Sequence, residues 1–581
     1  MKSSRARSSS QPEIHKNALP HNSSPEKGAA HALPRREFFR LGSLTAAASL
    51  SLPALLKNSP ANAGETPNGP GQRRNRAYQI RQQAAMSQMQ QGAPAHPNNG
   101  DELAYPNKIG NFSKGLPHNA LGEVDLNAYQ AFSHASITGD PADFEAIPMG
   151  CPDLARRSKL VNPQAGLAFD LEGADSHSLA MLPAPAFSSA QEASEIVENY
   201  WMALARDIPF SEYDSHPLTH LAAADLSGMT DFRGPKRANR VTTETLFRGL
   251  TAGDLTGPYL SQFMWLPTPF GADFIDNRMR TPAAGVDHLI NYDEWLNVQR
   301  GFPASSTPQF DPIRRYIRNG RDLSQWVHID VLYQAYFQAM LILLTPPSSD
   351  IYSGGIGAPF DSGNPYANSH TQNGFGTFGG PHIATLLTEV STRALKAVWF
   401  EKWFVHRRLR PEAFAGRIHN HVTGATSYPI SNDALNSAAL QAVYNKFGTY
   451  LLPMAFVEGC PLHPAYGAGH ATVAGACVTI LKAWFDESFV IPNPVQVTPD
   501  GLALIPYTGP ALTVGGELNK LASNVAIGRN ISGVHWRSDA TESLLLGEAV
   551  AMSVLHDHRG CFNEEFAGFT FTKFDGTTVT V

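Results

Sequence analysis

Three short segments in the last third of the chain carry the residues best suited to chemistry. The first holds Lys402 and, after seven intervening residues, Arg410; the third holds Arg529 and, after five more, His535. Arginine presents a planar fork of donors that matches an oxyanion, and lysine is a compact point charge. A histidine attaches to a central atom through a ring nitrogen, either as a ligand or as a nucleophile. Together these residues predict a site for a tetrahedral oxoanion.

The second segment reads HPAYGAGH and runs from His463 to His470. Gly469 is expected near the start of a helix, where a backbone N–H and the helix dipole both favour an anion. His470 is suited to moving a proton near neutral pH. Asp539 follows His535 by four residues, about one helical turn, and is expected to orient that ring or a neighbouring group.

Each of these residues has an ordinary structural explanation when it is taken alone. Lys402 and Arg410 lie in the basic stretch EKWFVHRRLRPE, and such a charge run usually forms a solvated surface. A single buried histidine is more often structural than catalytic. The interpretation therefore depends on the three segments occurring together and in this order.

The elements expected to position these segments are mainly helical. Apolar spacing predicts helices over 190–205, 330–344, 384–404, 470–485, 517–529 and 539–555. Strand patterns are few and short, with 502–506 and 570–581 the clearest. The predicted fold class is mainly α.

Composition limits the class of protein. The 581 residues are 42% hydrophobic and 17% charged with a net charge of −6, which is globular and does not favour nucleic acid. The four cysteines, at 151, 460, 477 and 561, lack the spacing of a zinc site. An even number allows disulfides in an exported protein, but their pairing stays open, and Cys477 lies in an apolar run typical of a packed thiol.

The N-terminus has the order of an export signal. Arg35-Arg36-Glu37-Phe38-Phe39 precedes an apolar run over 41–56 and the small-residue pattern Ala61-Asn62-Ala63. We expect a twin-arginine signal over 1–63, a mature start near Gly64, and a periplasmic or extracellular location. The alternative is a basic pair before a buried helix. Residues 64–108 are expected to be an extended arm that acts as a linker or an oligomer contact, and 109–581 one helical catalytic unit.

The three segments together resemble the site of vanadium-dependent haloperoxidases, which share it with phosphatidic-acid-phosphatase-type acid phosphatases. Other segments resemble the red-algal bromoperoxidase branch, among them NFSKGLPH at 111–118, GPYLSQF at 257–263 and TEVSTRALKAV at 388–398. The resemblance covers roughly 109–581. It implies paired four-helix bundles with long loops and few strands, bound vanadate, hydrogen peroxide and halide as substrates, and a large homo-oligomer. Neither nucleic acid nor a membrane is an expected partner.

The resemblance also implies a role for each site residue. His535 matches the direct vanadium ligand, and His463 matches a histidine on the halide and proton side of the pocket. His470 matches the acid–base histidine, and Lys402 the group that polarises bound peroxide. The vanadate oxygens are held in relatives by groups that match Lys402, Arg410, the Gly469 amide, His470 and Arg529.

Three positions depart from the family pattern. Ala468 stands where relatives have a serine that donates to vanadate, a loss of about 1.5–3 kcal/mol of cofactor binding. Trp399 stands where red-algal relatives tend to have arginine, and it either shapes the halide pocket or simply packs. The stretch 364–376 matches a structural calcium loop but has no Asp or Glu, so we expect that calcium site to be lost or altered.

Two other functions fit the same residues. An exported acid phosphatase would use His535 as the nucleophile and His470 to protonate the leaving group. A non-catalytic member would only bind an oxyanion or serve as a shell protein, with Ala468 as the mark of its lost activity. The segments outside the site favour a peroxidase that oxidises bromide or iodide, with chloride left open.

Overall fold

Helices dominate the computed structural model, which describes residues 68–347 and 354–581. The α-helices are α1 (Pro70–Gln91), α2 (Asp101–Ala104), α3 (Leu126–Thr138), α4 (Pro141–Glu145), α5 (Ala190–Leu204), α6 (Pro217–Gly228), α7 (Tyr292–Gln299), α8 (Gly320–Trp326), α9 (Gln334–Leu344), α10 (Gly380–Phe400), α11 (Pro411–Val422), α12 (Asn432–Leu435), α13 (Ala438–Phe447), α14 (Gly469–Trp484), α15 (Val514–Ile531) and α16 (Arg537–Arg559). Short 3₁₀ turns occur at Pro163–Leu167, Ser176–Ser178, Phe210–Glu212 and Gln262–Met264. A π-helical turn, Glu401–His406, continues α10.

Strands are short and pair only locally. They are β1 (Thr268–Phe270), β2 (Asp273–Ile275), β3 (Met279–Pro282), β4 (Phe310–Arg315), β5 (Val495–Val497), β6 (Leu504–Pro506), β7 (Thr570–Thr572) and β8 (Thr578–Thr580). They form four antiparallel two-stranded ladders, β1 with β2, β3 with β4, β5 with β6 and β7 with β8. The mainly α class is confirmed, and strands occur within both predicted segments.

A four-helix bundle of α10, α14, α15 and α16 forms the part of the core that positions the site. The central helix is α14, which packs against the other three. Nearly all of its residues are buried, as expected for the uniformly apolar sequence ATVAGACVTIL. Two glycines let α14 and α16 touch through their backbones. A Cβ added to Gly475 would lie 2.1 Å from the Leu544 carbonyl oxygen, and one on Gly547 would lie 2.0 Å from that of Thr472.

The predicted helices all occur, with shifted ends. The helix predicted over 384–404 begins earlier, at Gly380, and its last residues form the π-helical turn instead of α-helix. The helix predicted from residue 330 begins only at Gln334. Asp330 therefore stands outside the helix, where its carboxylate is free to bond elsewhere.

The predicted extended arm is helical over much of its length, so that prediction was wrong for residues 70–91. Residues 72–91 contain no glycine or proline and are rich in Gln, Arg and Ala, which favour helix. No residue of α1 is buried. Residues 79–581 form one compact unit. The predicted export signal lies outside the described residues, and no helix within them is long and apolar enough to cross a membrane.

The cysteines and the loop matched to a calcium site have simple surroundings. All four cysteines are free thiols, with Cys561 exposed and the other three buried. In the loop, Tyr366 donates to the Glu564 carboxylate at 2.6 Å and Thr377 donates to the same oxygen. A carboxylate from the C-terminal segment thus reaches the loop but is occupied by hydroxyls. The loss or alteration of the calcium site stays a prediction.

Candidate active site

The three chemically distinctive segments meet at one end of the bundle. Lys402 lies in the π-helical turn after α10, and Arg410 is the residue before α11. Gly469 begins α14, and Arg529 lies in the last turn of α15. His535 stands two residues before α16. Helix termini therefore supply most of the site, as the sequence predicts.

Lys402 is a fully buried cation, with 0% of its surface exposed. Its ammonium donates to the carbonyl oxygens of Pro464 at 2.8 Å and Ala465 at 3.0 Å. Burial lowers its pKa well below the usual value, and the nearby charges of Arg410 and Arg529 lower it further. The protein therefore holds this ammonium where a neighbouring anion would relieve its cost.

Arg410 connects two of the histidines. Its guanidinium donates to the carbonyl oxygens of His463 at 2.8 Å and Val534 at 2.6 Å. It also lies 2.8 Å from Nδ1 of His463 and 3.0 Å from Nε2 of His535. Because a guanidinium only donates, both ring nitrogens act as acceptors towards it.

His535 presents an unprotonated nitrogen to the cations. Its Nδ1 donates to Oδ2 of Asp539 at 2.7 Å, which leaves the lone pair on Nε2. Burial lowers the pKa of His535 well below its usual value. The positive charges of Arg410, Lys402 and Arg529 lower it further. A neutral imidazole oriented through its far nitrogen is the usual state of a metal-ligating histidine.

Arg529 retains unused hydrogen-bonding capacity. It donates to the Val327 carbonyl oxygen, but its buried Nε has no hydrogen-bond partner among the described residues. Burial lowers its pKa to about 10, although the negative charge of Asp330 acts to raise it. Phe456 lies on its other side, with the guanidinium carbon 5.5 Å from the ring centre.

His470 is the most exposed side chain of the site, at 24%, and is held by a carboxylate. Its Nε2 lies 3.0 Å from Oδ1 of Asp330. The adjacent Gly469 amide, in the first turn of α14, donates to no backbone carbonyl in the described part of the chain. The Ala468 amide is already committed, because it donates to the Ser543 hydroxyl at 2.7 Å.

Trp399 and His463 form one wall beside Lys402. The ring centres of Trp399 and His463 are 4.9 Å apart, and the Lys402 ammonium lies 5.6 Å from the tryptophan ring. Trp399 Nε1 donates to the Val161 carbonyl oxygen at 3.0 Å, which fixes the ring. Burial lowers the pKa of His463 well below its usual value, and Lys402 and Arg410 add to this effect.

The charge balance of this cluster points to an anion. Three buried cations converge, while Asp539, a fully buried carboxylate beside His535, is engaged by His535 and Arg408. Buried charges are stable only when they are paired. An oxoanion would pair the cations and use the free Nε of Arg529 and the Gly469 amide. The residues present therefore fit a tetrahedral oxoanion, with the Ala468 methyl where a further hydroxyl donor is missing.

Two functional residues escaped the sequence analysis. Asp330 lies 140 residues before His470 and belongs to no motif, so only the fold brings them together. Arg408 falls within the basic stretch considered as a solvated surface, yet it is 2% exposed and contacts Asp539. The spacing Arg-x-Arg-Pro over 408–411 was the one available signal.

Known relatives are similar in sequence to this chain over most of its length. The vanadium-dependent bromoperoxidase of Corallina pilulifera is 37% identical over 596 residues, which covers 87% of this chain and 98% of the relative. The corresponding protein of Corallina officinalis is also 37% identical, with the same coverage.

A solved structure of a similar protein matches the fold of this chain. The homohexameric structure of the second vanadate-dependent bromoperoxidase from Ascophyllum nodosum matches with a TM-score of 0.83 at 32% identity, over 90% of this chain and 93% of that one. The family model of the VCPO second helical-bundle domain matches residues 383–564, the range from α10 to α16 that holds the site. With relatives this similar along nearly their whole length, the chain belongs to the family of vanadium-dependent bromoperoxidases.

Proposed function

We propose that this chain is a vanadate-dependent haloperoxidase that converts bromide or iodide, hydrogen peroxide and one proton into hypohalous acid and water. The released acid then halogenates organic compounds. The observation that carries this proposal is the buried set of three cations around the unprotonated Nε2 of His535, in a chain that belongs to the bromoperoxidase family. Vanadate, when bound, supplies a Lewis acid that activates peroxide without a change of oxidation state.

The cofactor would be held by the residues of this cluster. His535 is the proposed ligand through Nε2, because Asp539 holds its other nitrogen. Lys402, Arg410 and Arg529 would balance the charge of the oxoanion, and the Gly469 amide would donate from the helix terminus. Preorganised charge of this kind stabilises developing negative charge without reorganisation during the reaction.

The proton would pass through His470. This side chain is both part of the site and in contact with solvent, so it is placed to accept a proton from peroxide and return one to the departing oxygen. Asp330 holds the ring by Nε2. We assign the halide side to Trp399 and His463, because their rings line the wall next to the Lys402 ammonium.

A paired assay separates this proposal from the acid phosphatase alternative. The protein is incubated with orthovanadate, desalted, and tested for bromination of a diketone with bromide and peroxide; vanadium-free protein is tested on a chromogenic phosphate ester. We expect bromination that depends on vanadate. The His535→Ala variant should lose both this activity and the bound vanadium. Phosphate ester hydrolysis without bromination would replace the proposal by the phosphatase. Vanadium binding without either activity would support the non-catalytic alternative.

We further propose a homo-oligomer with α1 as a contact. The matched Ascophyllum structure is homohexameric, and α1 exposes Met86 and Met89 and buries none of its residues. Deletion of residues 1–91 should lower the number of subunits per assembly, obtained from the mass measured by light scattering divided by the mass of one chain, while the unfolding temperature of residues 92–581 changes little. An unchanged number of subunits would exclude α1 as a contact.

We also propose export by the twin-arginine route, supported by Arg35-Arg36 before an apolar run and an A-x-A pattern. A reporter fused after residue 63 should be exported in a bacterium with that pathway. Replacement of both arginines by lysine should retain it in the cytoplasm. Equal export of both forms would contradict the assignment.

A further inference from the structure

Arg408 is a buried cation outside the set considered for the oxoanion. It is 2% exposed, and its guanidinium carbon lies 4.7 Å from the centre of the Trp536 ring. The residue sits between α5 and the start of α16, the segment that begins just after His535. Burial of an arginine is costly unless its donors are paired; Nη1 and Nη2 of Arg408 have partners, whereas its Nε has none among the described residues.

Contacts on one side lead to the proposed vanadium ligand. Nη1 of Arg408 donates to Oδ1 of Asp539 at 2.8 Å and to the Ser538 hydroxyl at 2.8 Å. The other oxygen of the same carboxylate, Oδ2, accepts from Nδ1 of His535 at 2.7 Å. It also accepts from the Trp536 amide at 3.1 Å. Both oxygens of Asp539 are thus occupied, and the carboxylate has one orientation.

Contacts on the other side anchor Arg408 to α5. Nη2 donates to Glu192 and, at 3.1 Å, to Glu195. Glu195 is in turn held by Ser538, whose hydroxyl donates to it at 2.8 Å. Burial raises the pKa of Glu192 well above its usual value. The guanidinium therefore bridges two glutamates of α5 and the aspartate of α16.

We propose that Arg408 is a positioning residue that holds Asp539 in the orientation that keeps the His535 Nε2 lone pair directed at the oxoanion. This inference rests on the proposed function, since it concerns the affinity of that site for vanadate. Arg408 does not touch the cofactor position through any contact described above. Its effect must pass through Asp539, which makes it separable from a general effect on folding.

Arg537 provides a matched control on the same two helices. It is also 2% exposed, and its Nε donates to Glu198 of α5 at 2.7 Å. It lies against Phe232 as Arg408 lies against Trp536, with 5.5 Å to the ring centre. Arg537 makes no hydrogen bond with Asp539 in the described structure. Its replacement should thus cost stability without reorienting the ligand.

The test is a double-mutant cycle on vanadate affinity, measured by equilibrium dialysis with orthovanadate and metal analysis. Arg408→Gln should weaken binding about 10- to 100-fold, the range seen when groups that orient a metal ligand are removed. In the Asp539→Ala background the same change should weaken binding less than threefold, because the hydrogen bonds that link Arg408 to His535 through Asp539 are already absent. Arg408→Lys, which keeps the charge but not the two-sided fork, should give an intermediate affinity.

Thermal unfolding of each vanadium-free variant accompanies the dialysis. Arg537→Gln should lose stability comparably to Arg408→Gln but bind vanadate within threefold of the parent. Equal weakening by both replacements, or additive effects of Arg408→Gln and Asp539→Ala, would overturn the inference and leave the proposed function intact. If Arg408→Gln does not fold, unchanged affinity of Arg408→Lys and of Glu192→Gln would overturn it. A parent protein that binds no vanadate would overturn both.

Discussion

At the scale of single residues, Asp330 bonds directly to the ring of His470, and we expect it to fix that ring. Replacement by asparagine keeps the shape but removes the charge that holds Nε2 at 3.0 Å. We expect Asp330→Asn to lower kcat about 10- to 100-fold, as for other partners that orient a functional histidine. Vanadate affinity should stay within a few fold, because His535 and the cations are unchanged. Steady-state bromination and dialysis measure the two quantities; a loss of affinity as large as that of kcat would contradict this role.

We expect Ala468 to limit the number of hydrogen-bond donors available to an oxoanion. It is fully buried and precedes α14 without a side-chain cap. Ala468→Ser restores a hydroxyl, which should tighten vanadate binding about tenfold or more, since a hydrogen bond to a charged group contributes about 1.5–3 kcal/mol. Ala468→Gly adds no donor and serves as the control. Titration of vanadium-free protein is the measurement, and equal affinities for serine and glycine would show that no donor was missing.

The sequence predicted these residues unequally, for a physical reason. Lys402, Arg410, His470 and His535 lie in short motifs, where one helix terminus or turn places the group, so local spacing is informative. Asp330 and Arg408 act through partners far away in the chain, and nothing local distinguishes them from a helix end or a surface arginine. Such contacts depend on how helices pack, which a single sequence does not encode in any short pattern.

At the scale of elements, the site depends on the spacing of α14 and α16. Gly469 starts the first helix and His535 precedes the second, so their separation sets the width of the site. Gly547→Ala would place a methyl group 2.0 Å from the Thr472 carbonyl oxygen and force the helices apart. We expect a loss of about 1–3 kcal/mol in the free energy of unfolding and weaker vanadate binding. Denaturant titration and dialysis measure these effects.

A matched glycine tests whether this result concerns packing. Gly228 ends α6, and an added Cβ would meet nothing within 4 Å. Gly228→Ala should therefore leave both stability and vanadate affinity nearly unchanged. Equal losses in Gly547→Ala and Gly228→Ala would reject close helix contact as the cause.

Helix positions were predictable, but one feature of their ends was not. The apolar pattern predicted α14 and α16 because each presents a long buried face. The π-helical turn at 401–406 has the same residue types as an α-helix, so the pattern extended the helix through it. Its geometry reflects the burial of Lys402 against the loop before α14, a tertiary contact.

At the scale of the whole molecule, the vanadium-free protein should lose stability in mild acid. Burial lowers the pKa of His463 and His535 well below the usual histidine value of about 6.5, so only the unfolded chain binds these protons as the pH falls below 6.5. The free energy of unfolding should then fall by up to about 1.4 kcal/mol per pH unit for each histidine.

A variant isolates this effect from other buried groups. In His463→Asn the unfolded chain binds one proton fewer, so the free energy of unfolding should fall less steeply as the pH is lowered from 6.5 to 5. Denaturant unfolding of the vanadium-free protein at several pH values gives both slopes. Parallel slopes for parent and variant would show that His463 is protonated in the folded state.

The exposure of cysteine and methionine side chains should determine how long the enzyme stays active in the hypohalous acid that it produces. Hypohalous acid oxidises sulfur, and exposed thiolates and thioethers are attacked first. Cys151, Cys460 and Cys477 are buried, whereas Cys561 and, in α1, Met86 and Met89 are the most exposed sulfur-bearing residues in the described part of the chain. Oxidation should therefore begin at these exposed side chains and reach the buried thiols only when the core opens, so that opening of the core limits the number of turnovers before inactivation.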